Sequence, residues 1–158
     1  MGIIDWFRVT PPKDKLFSVY ISNFLKEDRY ILECYMDEII ASGCVDGLKL
    51  DYELFAKHWR AVQIQIFFFQ MPRFFEDKKY IEYSKSLIEA VNNFDKDIWQ
   101  LVKFKYGDAQ ASGGIQGMIE ALNQKPFKGK LDNNVISKLV RGLEAVEIEM
   151  IDAIKKLN

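Results

Sequence analysis

The sequence predicts an all-α protein, an antiparallel bundle of four long helices with a short accessory helix. Apolar residues recur at spacings of three and four through most of the chain, and only four prolines and nine glycines interrupt its 158 residues. No pair of segments alternates polar and apolar residues between turn signals, as strands that pair with one another would.

Pro11 and Pro12 close an apolar N-terminal arm, residues 1–12. Beyond them Thr10 or Asp14 can cap a helix, and Phe17, Ile21, Phe24, Ile31, Tyr35 and Ile39 mark its buried side. That helix should run from about Lys13 to Ser42 and stop at Gly43. After the loop GCVDGLKL, Asp51 is placed to cap a second helix reaching Met71, with Phe55, Trp59, Val62, Ile66 and Phe69 on one stripe.

Within this helix Val62, Ile64, Ile66 and Phe68 alternate with Gln63 and Gln65, which is also the period of a strand. A lone strand would leave its backbone groups unpaired, so helix is the reading. A membrane span is excluded for this stretch, because Gln63, Gln65, Gln70 and Arg73 break it well short of about 18 apolar residues. Pro72 lacks a donor and restricts Met71, so the helix should stop or kink there.

Asp77 should cap a third helix, in which Tyr80, Ser84, Leu87, Val91, Phe94, Ile98 and Leu101 step by four and three until Gly107 ends it. GDAQASGG, residues 107–114, has the composition of a flexible loop. A short helix with Ile115, Met118, Ile119 and Leu122 should follow, then the loop KPFKGK. The last helix should begin near Asp132 and carry Ile136, Leu139, Leu143, Val146, Met150, Ile154 and Leu157. No repeat or second domain is visible, so residues 1–158 read as one domain.

Charge and cysteine content narrow the function. With 22 basic and 23 acidic residues the formal charge is −1, so nucleic-acid binding would need a local basic patch, for which Lys125, Lys128 and Lys130 form only a short candidate. Cys34 and Cys44 stand ten apart behind no secretory signal, which favours reduced thiols and a cytoplasmic protein. The arm could touch a membrane surface through Trp6 and Phe7, but it lacks a basic cluster, and packing across the bundle is the preferred reading.

Chemistry is sparsely provided for. His58 is the only histidine, so the paired Glu-x-x-His motifs of metal-binding bundles cannot be built. Cys34 sits among apolar and acidic neighbours, which blunt a thiol. The carboxylate pairs Glu33 with Asp37 and Glu144 with Glu147 read as solvated helix faces, and phosphate-loop and calcium-loop patterns are absent. No catalytic residue, metal or cofactor is therefore expected.

What stands out is the aromatic content, 12 Phe, 7 Tyr and 3 Trp. Near Pro72 the second helix becomes hydrophobic nearly all round, so it must be covered by its own bundle or by another protein. The expected function is thus self-association or partner binding, with Phe67, Phe68, Phe74 and Phe75 as the candidate interface. A carrier of an apolar small molecule, with His58 and Trp59 at a pocket between helices, is the first alternative. An enzyme without a recognisable motif is the second.

Overall fold

The computed structural model describes residues 52–129 and 131–157, together with Leu25 and Asp37, which are both helical. Apart from those two residues, the helix expected from Lys13 to Ser42 lies outside the described part, as do the arm 1–12, both cysteines and the loop GCVDGLKL. The described part is all-α, with no strand. None of its helices is long and apolar enough to cross a membrane.

Helix α1 (Tyr52–Phe74) is the hub, and every other described helical element packs against it. Glu53 lies in its first turn and Arg73 in its last, each opposing the helix dipole. Pro72 does not stop it. The helix continues to Phe74, three residues past the expected end, because a proline this close to the C-terminus forfeits a single intrahelical bond, and Phe75 N–H still donates to the Met71 carbonyl at 3.0 Å. Phe55, Trp59, Val62 and Ile66 are buried as their spacing predicts. Two positions stand out: Phe69 of that stripe is exposed, and the polar Gln63 is buried.

Helix α2 (Asp77–Phe94) follows an extended Glu76, so Asp77 occupies the first helical turn instead of the cap. Leu87 and Val91 enter the core. The single helix expected from Asp77 to Gly107 is in fact broken at Asp95, whose backbone is extended. Asp95 N–H closes α2 on the Val91 carbonyl, while its side chain accepts from Asp97 N–H at 2.9 Å and so starts α3 (Lys96–Leu101). Lys57 of α1 fastens this joint, its Nζ lying 3.2 Å from Asp95 and 3.0 Å from Asp97.

From α3 the chain passes into a π-helical turn, Val102–Tyr106, closed by Gly107 N–H on the Val102 carbonyl. It continues as α4 (Gly107–Gln124) with helical geometry at Gly107. The loop expected at 107–114 is therefore helix up to Gly114, the first residue to leave helical geometry. There φ is 59° and ψ is −144°, a combination essentially confined to glycine. The bend folds the second half of α4 back on the first so closely that a Cβ on Gly117 would meet the Ala109 carbonyl oxygen at 2.5 Å.

The loop after α4 is held by Asn123. Its side chain accepts from Leu131 N–H at 3.0 Å and its carbonyl accepts from Gly129 N–H at 2.7 Å. Phe127 plunges from this loop into the core, edge-on to Phe55. α5 (Asn133–Leu157) begins beside Asp132, where the sequence leads one to expect it, and Asp132 caps it by accepting from Val135 N–H at 2.9 Å. Leu139, Leu143, Met150 and Ile154 of α5 complete a core shared with α1, α3, the π turn and α4, to which Leu25 also belongs.

Candidate functional site

The π turn has two sides, and each carries a distinct cluster. On one side, Gln65, Phe68, Phe69, Pro72 and Arg73 form a single face of α1, at spacings of three, four, seven and eight. Trp99 of α3, Val102 and Lys103 of the π turn, Gly107 of α4 and Tyr80 of α2 form the facing walls. Between them lies a groove of about 510 Å³. Its floor is aromatic: the Phe68 and Trp99 rings stand 5.5 Å apart and tilted by 46°.

The rim of the groove is cationic. The Arg73 guanidinium sits 4.4 Å over the Phe69 ring, and Lys103 Nζ lies 5.0 Å from the ring of Phe104. Both aromatic rings stay in solvent, Phe69 at 38% and Phe104 at 63% exposure. Of the ten lining residues two are cations and none is acidic, so the groove presents an apolar floor with a positive edge.

On the other side of the turn, His58 Nδ1 and the Tyr106 hydroxyl share a 2.6 Å hydrogen bond, in which the hydroxyl donates when the ring carries its proton on Nε2. Their rings meet edge-on at 5.8 Å. Burial, followed by the charges of Lys105 and Lys125, pushes His58 down to about 4, so the ring is neutral at pH 7. Burial alone pushes the Tyr106 hydroxyl up. Lys105 donates to the Lys125 carbonyl at 2.6 Å, and burial together with Lys125 brings its amine down to about 8.

A His–Tyr hydrogen bond with Lys105 Nζ 5.3 Å from the Tyr106 ring invites an acid–base reading, but access decides against it. His58 is 3% exposed and Tyr106 fully covered, so neither ring meets a substrate. The pair is a polar latch between α1 and the π turn. It makes stability pH-dependent in one direction. Between its ordinary 6.5 and the folded value of about 4, only the unfolded chain takes up the proton on His58. The contribution of this buried neutral ring is thus complete above pH 6.5 and fades as pH falls toward 4, by about 3 kcal/mol at most. A His58→Leu/Tyr106→Phe double variant should lose less stability than the native chain between pH 7 and 4.5 in urea titrations; equal losses would contradict the assignment.

The expected site residues are divided by the structure. His58 and Trp59 are packed in the core and neither lines the groove; Trp59 stacks on Phe55 at 5.8 Å. Phe67 and Phe75 are buried within the chain, the latter against Tyr83 at 4.7 Å. Phe74 is half-buried, with Lys155 Nζ 5.6 Å from its ring. Of the four candidate interface phenylalanines only Phe68 lines the groove. Sequence reasoning passed over Phe69, Arg73, Trp99 and Lys103. The spacing of 65, 68, 69, 72 and 73 was visible, whereas the facing wall comes from some thirty residues downstream.

Among the described residues no group of three His, Cys, Asp or Glu side chains is arranged to hold a metal ion. Comparison with protein-family models, with curated proteins and with solved structures yields no match for this chain.

Proposed function

We propose that the protein works by association, with itself or with a partner protein, and that the groove between α1 and the α3–π run is its docking surface. The observation that carries this reading is the groove itself, an aromatic floor with exposed Phe69 on its lip and the cations Arg73 and Lys103 at its edge. Aromatic residues and arginine are the side chains most enriched at binding hot spots. The inaccessible His58–Tyr106 pair speaks against catalysis at the other cluster. For the whole chain we favour the antiparallel bundle of four long helices, with segment 13–42 as one of them; the burial of Leu25 in the common core supports it. The unbridged cysteines expected from the sequence favour a cytoplasmic setting.

A photo-crosslinking amino acid at position 69, introduced in cells expressing the protein, tests the docking surface against one at Ile81, which is also exposed and lies outside the groove. Protein adducts should form at 69 well above the level at 81. Equal yields at the two positions would overturn the reading. The groove's volume also falls in the range of small-molecule sites, so a carrier role is the second reading. It requires a bound compound in native mass spectra that is lost in Phe69→Asp.

A further inference from the structure

We propose that the occupant of the groove is the outer face of α5, centred on Ile148, from a second copy of this chain. The inference rests on the groove being a docking surface and goes further by naming what docks.

Ile148 is 64% exposed, the most exposed of the large apolar side chains among the described residues. The core-facing residues Leu139, Leu143, Met150 and Ile154 lie on the opposite side of α5, since each residue turns the helix by about 100°. Ile148 therefore points away from its own core. Among the described residues nothing packs over it in a way that accounts for an isoleucine there.

Its surroundings match the groove in charge. From residue 144 to 152 the sequence EAVEIEMID holds four carboxylates, Glu144, Glu147, Glu149 and Asp152, and no cation. Glu144 and Asp152 stand one turn on either side of Ile148, on the same stripe. The groove offers the complement, an apolar floor of Phe68, Phe69 and Trp99 edged by Arg73 and Lys103 with no acid among its lining residues. An amphipathic helix laid in an apolar groove is a recurrent mode of recognition, and the rim charges set register and orientation. The formal charge of −1 hides this separation of a positive groove edge from the acidic turns around Ile148, which Arg141 and Lys155 bound two turns out on the same stripe. The interface joins unlike surfaces, so each copy has both halves to offer.

Sedimentation velocity over a concentration series reads the association directly. The variants are Ile148→Arg, the pair Arg73→Glu/Lys103→Glu, and that pair combined with Glu144→Lys/Asp152→Lys. All five positions are exposed, and circular dichroism with thermal melts checks that each variant is folded. The native chain should self-associate, more weakly when salt is raised from about 0.05 to about 0.5 M, which shortens the screening length roughly threefold. Ile148→Arg and the groove pair should each weaken association at least about tenfold, and the charge swap should restore most of it. A native chain that stays monomeric up to about 200 μM, far above the micromolar range of specific contacts, overturns the inference. If only the groove pair weakens association, the docking surface stands and α5 is the wrong occupant. If neither variant changes it, both readings fall.

Discussion

Trp59→Ala should destabilise the protein by about 3–5 kcal/mol, a large part of the stability of an ordinary domain. Trp59 is fully covered and sits where α1 meets the rest of the chain, stacked on Phe55, which in turn receives the edge of Phe127 from the loop after α4. Truncation removes the transfer energy of the indole and leaves a cavity that rigid neighbours on several elements cannot close together. The midpoint of urea unfolding should fall steeply with little change in slope. Ile81→Ala, at an exposed site on α2, should stay within about 0.5 kcal/mol. A small effect at Trp59 would mean that the hub is not where the structure places it.

The glycines of α4 should respond in opposite directions although they lie within five residues. Gly117→Ala puts a methyl 2.5 Å from the Ala109 carbonyl oxygen, a backbone atom that cannot swing aside, and should cost about 1–3 kcal/mol. Gly114→Ala forces a side chain onto φ 59° and should cost a similar amount. Gly113→Ala has nothing within 4 Å and sits in regular helix, so it should stabilise by about 0.5–1 kcal/mol. Thermal melts of the three single variants suffice. If all three shifted the midpoint equally, the segment would be the flexible loop that its composition suggests, not a helix with one sharp bend.

That contrast shows what the sequence made legible. α5 could be read directly, because its apolar residues keep to one side and Asp132 supplies a capping oxygen at the start. α1 could be read as helix, against its local alternation, because no second strand existed to pair with it. The break at Asp95 could not be read from periodicity: Val91, Phe94 and Ile98 keep a helical step across it, so the apolar pattern is blind to one extended residue. The trace it leaves is local, an aspartate two before another amide it can cap. Gly107 misled in the other direction. A glycine there is compatible with a helix end, but the run continues because α3, the π turn and α4 are held along α1 as one wall.

The candidate site was half visible for a related reason. The surplus of phenylalanine around Pro72 pointed to a helix that needs cover on several sides, and the chain supplies most of that cover itself, burying Phe67 and Phe75. What stays open is narrower than the run suggested. It is the Phe68–Phe69 edge, and its character as a site depends on Trp99 and Lys103, which only the fold brings opposite. Pairwise distance in sequence gives no signal for such a meeting.

Self-association through this groove, with α5 of a second copy as its occupant, is tested most directly by zero-length carbodiimide coupling in an equal mixture of unlabelled and ¹⁵N-labelled protein. Lys103 of one copy should couple to Glu144 or Asp152 of another, seen as mixed-isotope crosslinked peptides that disappear in Ile148→Arg. Crosslinks confined to single-isotope pairs, or dimers formed without Lys103 or the α5 carboxylates, would contradict it.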